Sequence, residues 1–415
     1  MQWVASALFA VALLHTFAAK QFERMAQRCP RHAGLFHLLG EVEVVFGFWA
    51  MVLVLAMAVL SGGPAALGYA ESRNYTEPLF VFVVMVVAAS KPILQTVMRA
   101  AGLVARALPL PAPVASAWLG LAAVPLLGSL ITEPAAMTIA ALMLAPQVFA
   151  PTTVPESHKY LALGVLFVNV SIGGTLTSYA APPVLMVAST WQWDSAHMLS
   201  QFGWKAALAV VVNATFATAV LRKHLKPAEG LSADVQERAV PLGIVLIHVA
   251  LLTGVVLLAH HPVAFLGLFL LFLGVAQAYE RHQSPLILKE ALLVGFFLAG
   301  LVVLGGMQGW WLQPIVSRLD PLALFFGALG LTAITDNAAL TYLGSLIAEI
   351  SDTSKYMLVA GAVAGGGLTV IANAPNPAGV ALLRRGFADE SIGAGGLLLG
   401  ALAPTAVAAA AFLLL

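Results

Sequence analysis

One short stretch of the sequence occurs twice, about two hundred residues apart, and it sets the plan of the chain. Residues 131–138 read Ile-Thr-Glu-Pro-Ala-Ala-Met-Thr, and residues 334–341 read Ile-Thr-Asp-Asn-Ala-Ala-Leu-Thr. Each copy places one carboxylate, Glu133 or Asp336, in an otherwise apolar neighbourhood. Self-similarity of this kind indicates that the chain is built from two related halves.

A second repeated stretch follows each acidic motif. Gly-Gly-Thr-Leu-Thr at 173–177 is followed by two prolines, and Gly-Gly-Gly-Leu-Thr at 365–369 is followed by Pro-Asn-Pro. Because proline removes an N–H donor and glycine adds backbone freedom, an apolar helix is expected to break at both places. The alternative is that these residues only allow helices to pack closely, and the duplication favours the break. The backbone positions assigned to the breaks are Gly173, Gly174, Pro182, Pro183, Gly365, Gly366, Gly367, Pro375 and Pro377.

The composition places the chain in a membrane. Hydrophobic residues make up 60% of the 415 and charged residues only 9%, against about 25% charged in soluble domains. Many apolar runs reach the length of about 17–22 residues that crosses a hydrocarbon core of roughly 30 Å. We therefore predict an all-α polytopic membrane protein whose partner is the lipid bilayer.

Several function classes lack support in the sequence. The single cysteine, Cys29, excludes an intramolecular disulfide and a cysteine-based metal site. The chain carries no zinc-protease, nucleotide-binding or nucleophile-elbow motif. Nothing argues for an enzyme, a resident cofactor or a nucleic-acid partner.

The apolar runs predict about ten transmembrane helices, two re-entrant hairpins and two broken helices. An N-terminal run without a preceding basic segment is interpreted as a retained first span, not a cleaved signal peptide. Hairpins carrying Glu133 and Asp336 near their tips are expected because their apolar arms are too short to cross comfortably. The predicted units are a first repeat over 1–221 with hairpin 113–149 and broken helix 160–189, a cytoplasmic linker over 222–240, and a second repeat over 241–415 with hairpin 313–350 and broken helix 356–383.

The distribution of basic residues tests this layout. With both termini outside, 15 of the 20 Lys and Arg residues fall on the inner ends and loops, four fall on the outer ones, and Lys91 lies within a span. Cytoplasmic loops are enriched in Lys and Arg, so the count supports the layout. It also makes the first hairpin enter from the cytoplasm and the second from outside, so the two repeats are inverted.

The two acids are the leading candidates for a cation and proton site. A charged side chain at mid-membrane costs about 2.5–3.5 kcal/mol on insertion scales, and it occurs at equivalent positions of both repeats. Each acid is also suited to cap its hairpin helix, which is compatible with ion binding. Burial favours the neutral form of a carboxyl group, so proton and cation are expected to compete for one site. Further oxygen ligands are predicted from Thr132, Thr335, Asn337, Thr177, Thr369, Asn373 and Asn376.

Three charged residues outside these motifs are candidates for a gate or an ion pair. Lys91 is placed to pair with an acid inside the bundle or to extend to the cytoplasmic surface. Glu41 and Glu43 lie beside the cytoplasmic start of a span, where they would form a gate or simply occupy the interface.

At these motifs the chain resembles the ion transporter superfamily, which includes the NhaD-type sodium/proton antiporters, the arsenite permeases and the citrate and dicarboxylate carriers. The stretch at 173–183 looks like the first broken helix of that superfamily, and Asp336-Asn337-Ala-Ala-Leu looks like the hairpin tip of its antiporters. The stretch His-Leu-Leu-Gly-Glu-Val-Glu-Val-Val-Phe-Gly at 37–47 is similar to the sodium/proton antiporter branch. The resemblance implies a homodimer in the cell (inner) membrane, with a dimerising scaffold and a transport domain that moves as an elevator.

One departure from the superfamily bears on the cargo. Its dicarboxylate carriers show Ser-Asn-Thr at both hairpin tips, whereas this chain has an acid at each tip. Two acids would repel an anion, so we expect a secondary sodium/proton antiporter. An organic-anion or oxyanion carrier on the same scaffold (dicarboxylate, citrate, arsenite) remains an alternative, as does a channel or non-transporting membrane component.

Overall fold

The structure, a computed structural model, describes residues 1–225 and 240–415, and that part is helical without β-strands. Five of its helices are long and apolar enough to cross a membrane, or up to seven if each of two bent helix pairs counts as one span. The protein is therefore a polytopic helical membrane protein. Ten spans remain a prediction, because several apolar helices fall below this length.

The helices of the first half are α1 Gln2–Thr16, α2 Ala19–Arg28, α3 Ala33–Gly40, α4 Val42–Ser61, α5 Gly63–Glu71, α6 Thr76–Ala88, α7 Lys91–Ala107, α8 Ala112–Leu121, α9 Ala123–Ile131, α10 Glu133–Leu144, α11 Glu156–Gly173, α12 Pro182–Trp191, α13 Ser195–Met198 and α14 Trp204–Leu221. Those of the second half are α15 Leu242–Leu257, α16 Pro262–Ala278, α17 Leu288–Gly305, α18 Gly309–Val316, α19 Pro321–Thr332, α20 Asn337–Ser345, α21 Asp352–Gly365, α22 Asn376–Leu383 and α23 Ala394–Leu414. Most of the predicted linker, residues 226–239, lies outside the described residues.

Each acidic motif lies at the turn between consecutive helices, and we call each such unit a hairpin. Hairpin 1 consists of α8, α9 and α10, with a bend of 42° between α8 and α9, and it turns at residue 132. Hairpin 2 consists of α19 and α20 and turns at residues 333–336. Each tip is short because the second arm begins at or directly after the acid.

Both predicted helix breaks are present. Helix α11 ends at Gly173, a short 3-10 turn follows, and α12 begins at Pro182, so break 1 covers residues 174–181. Helix α21 ends at Gly365 and α22 begins at Asn376, so break 2 covers residues 366–375. Proline occupies the first turn of α12 and of α22, where its missing N–H is not needed.

Two further features of the first half concern α5, α6 and α7. Helices α6 and α7 are not collinear, since they meet at 64° and Lys91 is the first residue of α7. Pro92 in that first turn prevents the ladder of hydrogen bonds from running through. Before α6, Gly63–Glu71 form the nine-residue helix α5.

The helices pack as two groups. Helices α1, α4, α6, α15, α16 and α17 contact one another, while the hairpins, the broken helices, α14 and α23 form the second group. Within the second group, α10 of hairpin 1 packs on α22, and α20 of hairpin 2 packs on α12. Each hairpin also packs on the broken helix of its own half, α9 on α11 and α19 on α21, so both tips lie at the breaks.

Candidate ion-binding site

Glu133 is the first residue of α10, and it is fully buried at the tip of hairpin 1. The preceding residue, Thr132, has a φ of 88°, which is an outlier for a β-branched side chain. Strained backbone of this kind persists only where the surroundings enforce it, and it clusters at ligand sites. The tip therefore orients Glu133 by a turn that the sequence alone would not favour.

Asp336 occupies a different position in its helix. It is the N-cap of α20, and its Oδ1 accepts hydrogen bonds from the amides of Ala338 and Ala339 at 2.8 and 3.2 Å. Glu133 makes no such capping bond. The sequence predicted that each acid would cap its hairpin helix, and this holds for Asp336 but not for Glu133. In hairpin 1 the N-cap position is occupied by Thr132, and Glu133 is already the first residue of the helix.

Break 2 supplies the hydrogen-bond partner of Glu133. The Nδ2 atom of Asn373 donates to Oε2 of Glu133 at 2.8 Å, and both side chains are buried. Gly174 of break 1 lies on the other side, where a Cβ would stand 2.5 Å from Oε1 of Glu133. The carboxylate is therefore enclosed between the two breaks.

A second polar group surrounds Gly366 of break 2. The Nδ2 atom of Asn376 donates to the carbonyls of Gly366 and Thr369 at 2.8 and 2.9 Å. Asn337, next to the capping acid, places its Nδ2 3.5 Å from Oγ of Ser171 on α11, at the limit of a hydrogen bond. A Cβ at Gly366 would collide with Ser171 and stand 3.0 Å from Nδ2 of Asn337. Glycine is required here because the Ser171 hydroxyl of the first half and the Asn337 amide of the second half approach the same backbone.

Matching threonines hold each break to the nearer hairpin. Thr177 donates to the Ser129 carbonyl at 2.7 Å, and Thr369 donates to the Ala333 carbonyl at 2.8 Å. Oγ of Ser129 also donates to the Gly173 carbonyl at 2.6 Å and accepts from the next turn of break 1. These threonine hydroxyls are already donating to protein carbonyls, so their role is to fix the breaks, while a lone pair on each remains able to accept.

Several buried oxygen atoms around these groups have no hydrogen-bond partner in the described part of the chain. Amide oxygens from hairpin 2, from break 2 and from the start of α22 contribute, together with one carboxylate oxygen and one hydroxyl. The atoms are Oε1 of Glu133, Oγ1 of Thr132, Oδ1 of Asn337, Oδ1 of Asn373 and Oδ1 of Asn376. A buried polar atom without a partner is costly, and a hard cation is bound by carboxylate, amide and hydroxyl oxygens. Chemically, the arrangement is suited to hold a small cation or a proton.

A cavity of about 490 Å³ leads to this group from one side. It is lined by Pro134 of hairpin 1, Pro375 of break 2 and Pro377 of α22, each within two residues of the site. Acids at the start of α4 and α17 also line it. Glu41 and Glu43 are among these acids, and Lys289 lies 3.4 Å from Oε1 of Glu41.

Other residues predicted from the sequence lie around the group. The hydroxyl of Thr335 donates to the carbonyl of Asp336 at 3.2 Å. This bond joins two neighbouring residues and does not connect hairpin 2 to a break. A Cβ at Gly173, Gly365 or Gly367 would meet the backbone of a neighbouring helix, so these glycines serve close packing. The prolines 182 and 183 form the buried first turn of α12. Lys91 is half-buried at the bend between α6 and α7, and its pairing with an acid remains a prediction.

Sequence reasoning missed two serines that organise the site. Ser129 and Ser171 are almost fully buried, and they bond to break 1 and to α21 respectively. The available signal was a hydroxyl inside an apolar helix, facing a glycine-rich stretch. Within the described residues, no group of three or more His, Cys, Asp or Glu side chains is arranged to hold a metal ion.

Comparison with known proteins identifies the family. The chain belongs to the family described as "Putative Na+/H+ antiporter", whose model matches residues 1–415. No match was found among curated proteins. The sequence resemblance to sodium/proton antiporters is confirmed at this level, and membership of the wider ion transporter superfamily stays a prediction.

Proposed function

We propose that this member of the sodium/proton antiporter family exchanges Na⁺ for H⁺ across the cell (inner) membrane, with Glu133 and Asp336 as the carboxylates at which the two ions compete. The observation that carries the proposal is the set of buried oxygens around Glu133 and break 2 that have no hydrogen-bond partner among the residues the structure describes. An anion carrier would instead need donors facing its cargo. The acids and free amide oxygens here favour a cation.

The chemistry at the site follows from its ligands. When the carboxylates are ionised, Glu133 with the amide oxygens of Asn373, Asn337 and Asn376 offers a hard, oxygen-rich cation site. When Glu133 binds a proton, the site loses one of its two negative charges, and the cation is released because desolvated Na⁺ requires compensation. Asp336 remains held by two backbone amides through this change, so its side chain is ready for the next ion.

The cavity lined by Glu41 and Glu43 is proposed as the cytoplasmic path to the site. Its walls include residues adjacent to Glu133 and Asn373, and its mouth carries the ion pair between Lys289 and Glu41. Acids at the mouth would concentrate cations and protons. The exposed ion pair would contribute little to stability, and it is suited to opening and closing.

The larger architecture belongs to the same proposal. We infer ten spans in two inverted repeats over 1–221 and 241–415, with both termini outside. The crossed packing of α10 on α22 and of α20 on α12 supports this relation between the halves. The two helix groups are suited to act as a scaffold and a moving transport domain, with a homodimer formed through the scaffold.

The test is cation-dependent proton movement in proteoliposomes, followed with a pH-sensitive dye while Na⁺, Li⁺, K⁺ and Ca²⁺ are added in turn. We expect exchange with Na⁺ in the wild-type protein and its loss in Glu133→Gln and Asp336→Asn. Asp320→Asn is the matched control for Asp336→Asn. Asp320 lies in hairpin 2 as well, where it caps α19 through two backbone amides, and its side chain is exposed.

Three outcomes would contradict the proposal. Exchange at wild-type affinity in both site variants would mean that the acids do not bind the ions. The absence of proton movement with every cation would favour an anion carrier, which a screen of carboxylates and oxyanions would then test. Downhill flux without proton coupling would indicate a channel.

A further inference from the structure

A second cavity, of about 640 Å³, lies away from the site described above. It is formed where the start of α6, the end of α12, α13 and the end of α15 meet. The positive-inside layout assigns these ends to the external side. The cavity reaches break 1 at Ser178 and Tyr179, which are half-buried and follow directly on Thr177.

Glu77 is the buried carboxylate of this cavity, with 8% of its surface exposed. Its Oε1 accepts a hydrogen bond of 2.6 Å from Oγ of Ser189 on α12, and a weaker one of 3.4 Å from Nδ2 of Asn74. The side chain is therefore fixed between α6 of the first helix group and α12 of the second. Both donors are neutral, so these bonds position the carboxylate without balancing its charge.

The remaining groups of the cavity favour a cation. Asp194 adds a second carboxylate, and hydroxyls come from Ser178, Tyr179 and Ser195. Among the described residues that line the cavity there is no Lys or Arg, and His260 is the one side chain there that can carry a positive charge. A cleft lined by one sign of charge raises the local concentration of counter-ions.

We propose that this cavity is the external vestibule for the transported cation, with Glu77 as the carboxylate that collects the ion and passes it toward break 1. The inference rests on the proposed function for the identity of the cargo. Glu77 also lies in the first turn of α6, where a negative charge stabilises a helix. A purely structural role would change stability, and the vestibule role changes the apparent affinity for external cation.

The first experiment measures initial rates of exchange against external Na⁺ for Glu77→Gln. Glutamine keeps an oxygen that accepts from Ser189, so the packing is retained while the charge is lost. We expect the KM for external Na⁺ to rise roughly tenfold at low ionic strength, with kcat unchanged and a smaller effect at high salt. The control is Glu71→Gln, because Glu71 is an exposed acid six residues earlier and outside the cavity.

The second experiment does not depend on transport. In a Cys29→Ser background, Ser178→Cys is labelled with a membrane-impermeant maleimide added to whole cells. We expect labelling from outside, slowed by Na⁺, and we expect the Na⁺ protection to be lost when Glu77→Gln is added.

The outcomes separate this inference from the proposed function. An unchanged KM in Glu77→Gln, or labelling of Ser178→Cys only from the cytoplasmic side, would overturn the vestibule while leaving exchange at Glu133 and Asp336 intact. A lowered thermal stability with unchanged KM would assign Glu77 to the helix alone. If the wild-type protein showed no Na⁺/H⁺ exchange, the proposed function would fail, and protection of the cysteine would still report whether Na⁺ binds here.

Discussion

Adding one methyl group at Gly174 is expected to damage ion binding without disturbing the fold. A Cβ built there stands 2.5 Å from Oε1, 2.8 Å from Cγ and 3.0 Å from Cδ of Glu133, where ordinary contact begins at 3.4 Å. The carboxylate must therefore move by close to an ångström. The atoms that must move belong to a side chain and not to backbone, so α10 and α11 can keep their packing.

The size of the effect follows from that displacement. Glu133 is fully buried and bonded to Asn373 at 2.8 Å, so it cannot move away into solvent. Overpacking of this kind costs about 1–3 kcal/mol, and each 1.4 kcal/mol corresponds to about a factor of ten in affinity. We expect Gly174→Ala to raise the KM for Na⁺ by roughly ten- to one-hundredfold, a loss typical of a 1 Å misplacement.

The assay is the dye-based exchange measurement in proteoliposomes, with two comparisons. Gly327→Ala is the control, because Gly327 lies in α19 of hairpin 2 and a Cβ there meets no atom within 4 Å. Glu133→Asp shortens the carboxylate and should relieve the collision, so the double variant should bind Na⁺ better than the sum of the two single effects predicts. An unchanged KM in Gly174→Ala, or additive effects in the double variant, would refute the placement of Glu133 against break 1.

Three further predictions concern the supports of the site. Asp336→Asn should retain the helix cap and unfold at nearly the wild-type temperature while exchange is lost, whereas Asp336→Ala should also lose about 1 kcal/mol of stability; equal thermal stability of the two would contradict the capping role. Lys159→Met should lower the free energy of unfolding in detergent by roughly 1–3 kcal/mol, because the ammonium group of Lys159 donates to the backbone carbonyls of Phe149, after α10, and of Gly386, after α22, and so joins these two segments; Lys159→Arg should recover part of the loss in the same melting assay. Thr177→Val and Thr369→Val should each cost about 1 kcal/mol and weaken Na⁺ affinity to a similar degree in the exchange assay, because each hydroxyl ties one break to one hairpin; an effect at only one of the two would argue against equivalent roles for the breaks.

The sequence by itself determined the class of protein and the positions of the hairpin tips and helix breaks. The composition and the length of the apolar runs place the chain in a lipid bilayer. There the backbone N–H and C=O groups must form hydrogen bonds within helices, because the hydrocarbon offers none. Proline and glycine act on the local backbone, so the ends of α11 and α21 and the starts of α12 and α22 follow from the residues present there. The repeated acids could also be found from the sequence, because a charged residue within an apolar segment is recognised without knowing its tertiary contacts.

The tertiary structure decided which residues meet. Sequence treated Glu133 and Asp336 as equivalent, but the hairpins turn at different residues, so one acid bonds to Asn373 and the other caps its own helix. The hydrogen bonds that join Ser129 to Gly173 and Thr177, and the burial of Glu77 in a separate cavity, depend on helices that are separated along the chain. Such contacts arise from the packing of each hairpin on the broken helices and of α6 on α12, and no local propensity encodes that packing.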